Sequence, residues 1–238
     1  MMDWSKRSTQ LEIMDDFQGE PGVLRKVFDD INRANRLLGG DSNTIRAITK
    51  LIGENPKEDY IIADMGCGDG AMLRTLAHYF KKRDSKVAFI GIDLSEEALS
   101  LAKEASKGFD AIQYLQADIL QLNSADFKCD VIISTLTMHH FTDGQIPLYL
   151  KKLGELSRIG VIINDLHRSP FAYYLFKAFS RIFIRTKVAK NDGALSVKRA
   201  FVRPDLIGYS KHLPDMDHTI RWKWAFRFVW VMRPNRLK

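Results

Sequence analysis

The sequence predicts an α/β fold in which helices cover both faces of a seven-stranded, mostly parallel sheet. Apolar strand-like runs alternate with helical stretches, which is typical of a parallel sheet. The cores of these runs are apolar without alternation, as expected for strands that are covered on both faces. The last two runs are joined tightly, which predicts an antiparallel hairpin at the C-terminus. Together these observations predict a three-layer, doubly wound sheet closed by that hairpin.

Each element follows from its local pattern. Apolar positions at helical spacing predict two N-terminal helices within 21–53, separated by a Gly-Gly pair and ended by an Asn-Pro pair. The five strand-like runs lie at 60–64, 87–93, 111–118, 129–136 and 159–165. The further helices are predicted at 71–82, 95–106, 144–157 and 203–212. The hairpin strands are predicted at 218–226 and 227–233.

The 238 residues fit a single domain, 1–238, with a substantial core. The first twenty residues are polar and are expected to be loose. A lid-like insertion is predicted at about 168–192, between the fifth strand and the next helix. No stretch has the length of a membrane span and no apolar signal region begins the chain, so a cytoplasmic location is expected. The two cysteines make no disulfide framework, and no Cys/His spacing predicts a metal.

The positive charge is concentrated at the C-terminal end. The net charge is +7, but residues 168–238 hold sixteen Lys/Arg and four Asp, while the remainder holds twenty basic and twenty-five acidic residues. Such a basic region suggests an anionic partner: nucleic acid, a membrane surface or an acidic substrate. A solvated basic face is the alternative.

The stretch "ADMGCGDG" (63–70) ends the first strand in alternating glycines, Gly66, Gly68 and Gly70. In doubly wound sheets ligands bind beyond the carboxyl ends of the strands, and glycines there let the backbone approach a ligand closely. The spacing departs from the dinucleotide pattern G-x-G-x-x-G, because Ala71 stands at the third glycine position. Asp69 would repel a pyrophosphate, so the loop favours a positively charged ligand without phosphate. A tight strand–helix turn without a ligand is the alternative.

Two further acids end neighbouring strands. Asp93 ends the second strand, where a carboxylate can accept hydrogen bonds from both hydroxyls of a ribose. Asp118 ends the third strand and can accept from an adenine amino group, while the apolar neighbour Ile119 packs on the ring. Asp93 as a helix cap and Asp118 as a turn residue are the alternatives.

Four stretches in order, "ADMGCGDG", "GIDLSEEALSLAKE", "LQADIL" and "CDVIISTLTMHHF", resemble class I S-adenosylmethionine-dependent methyltransferases. The resemblance covers about residues 22–165 and returns in the terminal hairpin. It is most similar to the small-molecule group that includes ubiquinone and menaquinone biosynthesis methylases. It implies S-adenosyl-L-methionine as the cofactor and S-adenosyl-L-homocysteine as the product.

The resemblance also implies a role for each cofactor-site residue. Asp64 helps to hold the methionine ammonium, and Asp93 holds the ribose. Asp118 and Ile119 hold the adenine. The three glycines pass under the methionine and ribose portions, and Cys67 and Leu94 belong to the same site by their place in the motifs. On its own, Cys67 reads as a small residue of the turn.

The acceptor is expected beyond the fourth and fifth strands. The fourth strand ends in "STLTMHHF" and lacks the Asn/Asp-Pro-Pro-aromatic motif of methylases that act on amide or adenine nitrogens, which disfavours nucleic acid. In the resembling family the first histidine of such a pair faces the acceptor, so His139 is the candidate general base and His140 is assigned to packing. Asp165 and His167, after the fifth strand, are further catalytic candidates. Structural roles for both histidines, and a cap or turn role for Asp165, are the alternatives.

The insertion has an apolar aromatic face beside a basic stripe, Lys177, Arg181 and Arg185. A lid over an apolar acceptor, a helix on an anionic membrane surface and an ordinary packed helix are the three interpretations. The sequence therefore predicts methylation of a hydrophobic small molecule, a phenol, quinol or polyketide-like ring, at oxygen or carbon. An RNA or protein methyltransferase and a non-catalytic cofactor-binding module are the alternatives. The oligomeric state is left open.

Overall fold

A computed structural model of the chain describes residues 3–17, 19–83, 85–125 and 127–235. The strands are β1 (Asp59–Met65), β2 (Lys86–Asp93), β3 (Ile112–Gln116), β4 (Cys129–Thr135), β5 (Ser157–Leu166), β6 (Met216–Lys223) and β7 (Arg227–Pro234). They form one sheet of order β3-β2-β1-β4-β5-β7-β6. The first five strands pair in parallel, and β7 runs antiparallel to both β5 and β6. The predicted mostly parallel sheet with a C-terminal hairpin is confirmed.

Helices cover both faces of this sheet. They are α1 (Pro21–Leu37), α2 (Gly40–Gly53), α3 (Ala71–Lys81), α4 (Glu96–Ala105), α5 (Ile146–Leu156), α6 (Pro170–Phe183), α7 (Lys187–Arg199) and α8 (Arg203–Ser210). One core joins α2 and α3 to the sheet through side chains such as Leu51, Leu76 and Phe89. The other joins α5 to the opposite face, around Tyr149 and Trp230. The inner strands β1, β4, β5 and β7 are therefore buried on both sides, which is why their sequences are apolar without alternation, whereas the edge strands β3 and β6 are largely exposed.

The predicted insertion consists of α6 and the first part of α7, which continues to Arg199. The sequence pattern missed this continuation because Gly193 interrupts it. A Cβ at Gly193 would lie 2.7 Å from a ring atom of Phe176, so the glycine permits close packing of α6 against α7. Asp30 of α1 links to the start of α7, where its carboxylate accepts hydrogen bonds from the backbone N–H groups of Arg185 and Thr186 at 3.0 and 2.7 Å.

The N-terminal segment, residues 3–16, is packed on the domain, and the prediction that it is loose was wrong. Its backbone N–H groups at residues 13 and 14 each donate to the Asp192 carboxylate of α7 at 3.0 Å. Arg168 donates to two carbonyls of the segment at 3.1 and 3.2 Å, and Arg199 donates to a third at 2.6 Å. Side chains far away in sequence therefore satisfy the polar groups that make this segment look solvent-bound in sequence.

Among the described residues, none of the helices combines the length and the apolar character that a bilayer crossing requires.

Candidate active site

A cavity of about 1150 Å³ opens at the carboxyl ends of β1, β4 and β5. Its walls come from the N-terminal segment, α1, the loop after β1, the loop after β4 and α7. This is the position at which ligands bind in doubly wound sheets. The cavity places most of the predicted cofactor residues and His139 around one space.

The glycine loop turns sharply between β1 and α3. Gly66, Gly68 and Gly70 have φ values of 79°, 53° and 74°, the left-handed region that favours glycine. A Cβ at Gly68 would also come within 2.8 Å of the Phe28 ring of α1. Substitution would therefore meet both backbone strain and a side chain. Gly66 and Gly68 line the cavity, and the absence of a side chain at Gly68 lets α1 pack against the loop. Gly70 does not line the cavity, and a Cβ there would clash with the Tyr114 hydroxyl group.

Asp64, at the end of β1, is a buried carboxylate on the cavity wall that is 2% exposed. Its Oδ1 atom has no hydrogen-bond partner. Burial raises the pKa of Asp64 well above its usual value, and the nearby charge of Asp93 raises it further. An unpartnered buried carboxylate is costly unless a cation or donor meets it. This observation fits the ammonium of an amino acid ligand.

Asp93 is fixed by the loop that it supports. Its Oδ2 accepts from the Gly68 N–H at 2.8 Å and its Oδ1 accepts from the Ser95 N–H at 3.0 Å. Ser95 itself caps α4, because its Oγ accepts from the Ala98 N–H. The cap role considered for Asp93 therefore belongs to Ser95. Asp93 lies on the cavity wall beside Leu94, which is 69% exposed.

The two residues predicted to hold the adenine lie in different environments. Ile119 is buried on the cavity wall, whereas Asp118 is exposed and is not among the residues that line the cavity. The Asp118 Oδ1 accepts from the Leu120 N–H at 2.9 Å, so a turn role is present whatever else the residue does. Cys67 lines the cavity as a buried thiol. Burial and the charges of Asp64 and Asp93 raise its pKa, so it is not a reactive thiolate.

His139 lines the cavity from the loop after β4, but it is enclosed by two carboxylates. Its Nδ1 lies 2.7 Å from an oxygen of Asp165, and its Nε2 lies 3.5 Å from an oxygen of Glu12. Burial alone would lower the pKa of His139, but the charge and hydrogen bond of Asp165, together with Glu12, raise it to about 9. The ring is therefore an imidazolium at neutral pH. A free neutral imidazole, as the sequence suggested, is not present in this arrangement.

The two histidines have the reverse of the expected exposure. The His139 side chain is 2% exposed and that of His140 is 32% exposed. His140 Nδ1 lies 2.6 Å from an Asp15 oxygen, so its partner is the N-terminal segment, where the sequence assigned it to packing under a helix. Ligand atoms of Glu12, His139 and His140 lie within 4.8 Å of one another, as in a metal site, although hydrogen bonds and ion pairs already engage all three. Glu12 is 127 residues from His139, so sequence spacing gave no sign of this cluster.

Of the other two catalytic candidates, the structure brings Asp165 into the site and leaves His167 outside it. Asp165 is buried behind His139, and its oxygens also accept from the backbone N–H groups of His139 and Leu166 at 3.1 and 2.7 Å. His167 does not line the cavity. Its ring contacts Phe226 and Phe228, and it accepts from the Trp222 indole N–H at 3.3 Å. The strand alternation turns residues 165 and 167 towards the same face, but the sheet ends between them.

Arg227 is a cavity residue that the sequence did not predict. It begins β7, is 2% exposed and lines the cavity. Its Nε and Nη1 atoms are buried without a hydrogen-bond partner, as is Oδ1 of neighbouring Asn35. Burial lowers the pKa of Arg227 to about 10, which leaves it a cation at neutral pH. Its one visible signal in sequence is an arginine directly before the apolar run 228–232.

With this geometry in place, comparisons with known proteins identify the family. Residues 62–160 match the family model described as "Methyltransferase domain". This part of the chain is a class I methyltransferase domain. The predicted family, fold class and cofactor, S-adenosylmethionine, are confirmed.

Curated relatives of this methyltransferase domain match only in part. The ubiquinone/menaquinone biosynthesis C-methyltransferase UbiE of Campylobacter jejuni is 23% identical over 58% of this chain and 57% of its own length. The release factor glutamine methyltransferase of Lactococcus lactis is 31% identical over 42% of this chain and 35% of its own length. The chain spans between 35% and 57% of the length of the curated relatives that it matches.

Solved structures share the methyltransferase fold over most of the chain. The plantazolicin methyltransferase BpumL, solved with a triazolic desmethylPZN analogue and S-adenosylhomocysteine, matches over 89% of this chain and 91% of its own length at a TM-score of 0.68 and 17% identity. The magnesium protoporphyrin IX methyltransferase of Synechocystis PCC 6803, solved with S-adenosylhomocysteine, covers 82% of this chain and 84% of its own at a TM-score of 0.55 and 16% identity. At these identities the likeness concerns the fold.

Proposed function

We propose that this methyltransferase domain transfers the methyl group of S-adenosylmethionine to a hydrophobic small molecule, a phenol, quinol or polyketide-like ring, at oxygen or carbon. The observation that carries the proposal is the single cavity. At one end it holds the glycine turn with the unpartnered Asp64 carboxylate, and it also reaches His139, Phe176 of α6 and the start of α7. A cofactor end and an acceptor end thus share one enclosed space.

The residues at the cofactor end fit the cofactor. Asp64 would hold the methionine ammonium, because its buried Oδ1 lacks a partner. Asp93, held in place by two backbone N–H groups, would accept from the ribose hydroxyls. Ile119 would pack on the adenine, and Asp118 would lie at its edge. The bound cofactor supplies an electrophilic methyl group on a sulfonium sulfur, which needs no further activation.

At the acceptor end, the task of the chain is to align the acceptor and to take up a proton. Alignment alone can contribute about 7–11 kcal/mol. Asp165 holds the Nδ1 side of His139, which directs Nε2 towards Glu12 and the cavity. We propose that Nε2 of His139 receives the acceptor proton once the imidazolium has lost its own proton, which the raised pKa of about 9 puts above neutral pH, and that Glu12 stabilises the protonated ring. Glu12 would then set the pH above which His139 can act as a base.

An assay with purified chain, S-adenosylmethionine and a panel of phenols and quinols tests this proposal through release of S-adenosylhomocysteine. His139→Ala should lower turnover by about 10²–10⁴-fold, the usual contribution of a positioned acid or base, with cofactor affinity nearly unchanged. His212→Ala is the matched control and should retain turnover, because His212 is exposed and does not line the cavity. Glu12→Gln should move the acidic limb of the pH–rate profile to lower pH. Full activity of His139→Ala would remove this histidine from the mechanism.

We further propose peripheral contact with an anionic membrane through α6 and the adjoining turn of the hairpin. Phe171, Ile182 and Trp224 are 64%, 77% and 66% exposed, an unusual exposure for large apolar side chains. Lys177 and Arg181 are exposed on the same helix. Apolar side chains that can enter the interface, flanked by cations for anionic headgroups, are the features of an interfacial helix. A hydrophobic acceptor that resides in a membrane would then be close to the cavity.

A further inference from the structure

The acceptor half of the cavity contains a charged group that the proposed methyl transfer does not use. The Arg227 guanidinium is buried, lines the cavity and has no hydrogen-bond partner on Nε or Nη1. Within the described part of the chain, the Arg227 guanidinium forms no ion pair with a carboxylate. A buried cation without partners is strongly unfavourable, so such a group is retained where a ligand completes it.

The acids closest to Arg227 are engaged elsewhere. Asp165 uses both oxygens on His139 and on backbone N–H groups. Asp41 accepts from the Asn35 side-chain amide through Oδ1. These carboxylates lower the local cost of the cation at a distance without filling its donor positions. The guanidinium therefore keeps two buried donors, Nε and Nη1, that an anionic ligand could accept from.

The position of Arg227 separates it from the cofactor's own carboxylate. Asp64 and Arg227 lie on the same face of the sheet, because each is two residues from a member of one core cluster, Ile62 and Val229 respectively. The strand order β1-β4-β5-β7 puts three strand spacings, about 14 Å, between their backbones. In the cofactor, the carboxylate and the ammonium that Asp64 would hold are bonded to the same carbon atom, so the carboxylate must lie close to Asp64. An anion at Arg227 therefore belongs to the acceptor.

We propose that Arg227 binds a carboxylate of the acceptor, so that the substrate is an aromatic or otherwise apolar ring that carries both a nucleophilic site and a carboxylate. This inference rests on the proposed function and narrows its substrate class. Asp64 and Arg227 would mark the two ends of the occupied space, with the reacting atoms between them. The carboxylate would orient the ring by a charge-assisted hydrogen bond from Nε or Nη1, and the apolar walls would hold the remainder.

The experiment compares hydroxyaryl carboxylates, 4-hydroxybenzoate and 4-hydroxycinnamate, with their methyl esters. Binding to the full chain is measured by calorimetry with S-adenosylhomocysteine present. The wild-type protein should bind the carboxylates more tightly than the esters. Arg227→Met should lower the affinity for the carboxylates by about 10- to 100-fold, the effect of losing hydrogen bonds to a charged group, and leave the affinity for the esters unchanged. Arg227→Lys should restore part of the affinity for the carboxylates, because the charge returns without the planar guanidinium and its directed donors.

Arg221→Gln is the matched control, since Arg221 is an exposed arginine of β6 that does not line the cavity. It should leave the preference unchanged. The comparison of carboxylates with their esters in the wild-type protein requires no variant, so it remains informative even if Arg227→Met fails to fold. Absence of any carboxylate preference in the wild-type protein would overturn the inference. A separate titration of the wild-type protein with S-adenosylhomocysteine distinguishes the two proposals. Absence of this binding would refute the proposed function, whereas binding without a carboxylate preference would refute only the role of Arg227.

Discussion

Replacement of Asp64 by asparagine should have opposite effects on ligand binding and on the stability of the free protein. The substitution keeps the shape of the side chain and removes its negative charge. In the free protein this charge is buried at 2% exposure with one oxygen unpartnered, so ionisation is unfavourable. In the complex the same charge would meet the cofactor ammonium. A residue that only stabilises the fold would not separate the two effects in this way.

The magnitude follows from these contacts. A hydrogen bond to a charged group contributes about 1.5–3 kcal/mol, which corresponds to a loss of about 10- to 150-fold in affinity for S-adenosylhomocysteine. Burial raises the pKa of Asp64 in the folded state, so the folded protein binds more protons than the unfolded chain. The wild-type free energy of unfolding should therefore fall as the pH rises from 3.8 through the raised pKa, and Asp64→Asn should lack this fall.

Calorimetry gives the affinity, and denaturant unfolding of the ligand-free protein at a series of pH values from 3.8 upwards gives the stability. Asp59→Asn serves as the control, because Asp59 is the exposed first residue of the same strand. It should change neither quantity. Two results would refute the proposal that Asp64 is an unpaired buried carboxylate until the cofactor ammonium binds to it. One is unchanged affinity in Asp64→Asn, and the other is a ligand-free variant that is less stable than the wild type at pH 8.

Three further predictions follow from the same structure. Gly68→Ala should weaken S-adenosylhomocysteine binding and lower the free energy of unfolding by about 1–3 kcal/mol, because of its positive φ and its distance to Phe28. The raised pKa of His139 predicts stability that is complete below pH 6.5 and is lost as the pH rises through about 9; His139→Gln should lack this loss in denaturant unfolding. Phe171→Asp combined with Arg181→Glu should reduce sedimentation with vesicles that contain anionic lipid.

A control variant or a contradicting result tests each of these three predictions. Gly108→Ala has a φ of 89° with open space around the added methyl group, so it measures strain without the clash; an equal effect on ligand binding would contradict the local explanation for Gly68. A pH profile of His139→Gln that matches the wild type would assign the alkaline loss to other groups. Stronger binding to RNA than to vesicles, with a steep salt dependence, would favour the RNA methyltransferase alternative.

Most residues predicted for the cofactor end lie together in the structure because that end is built from local motifs; Gly70 and Asp118 are the two that do not line the cavity. Asp64 and the glycines adjoin one another in the chain, and Asp93 belongs to the strand beside them. Register between β1 and β2 then brings them together, which follows from parallel pairing.

The acceptor end could not be predicted in the same way, because its geometry depends on residues far apart in sequence. Glu12 lies in a polar segment that reads as loose, yet it closes the network on His139. Arg227 reads as a hairpin residue, yet the antiparallel pairing of β7 with β5 turns it into the cavity. His167 has the right residue type after the right strand, but it lies beyond the cavity wall.

Calorimetric titration of the full chain with S-adenosylhomocysteine, S-adenosylmethionine and NAD, each in turn, tests the central claim most directly. The claim is that the glycine turn and Asp64 form a site for a cationic nucleoside ligand without phosphate. The account predicts that both sulfur nucleosides bind at a ratio of about one per chain, as expected for one cofactor site, and that NAD does not bind. Binding of NAD without binding of either sulfur nucleoside would contradict it.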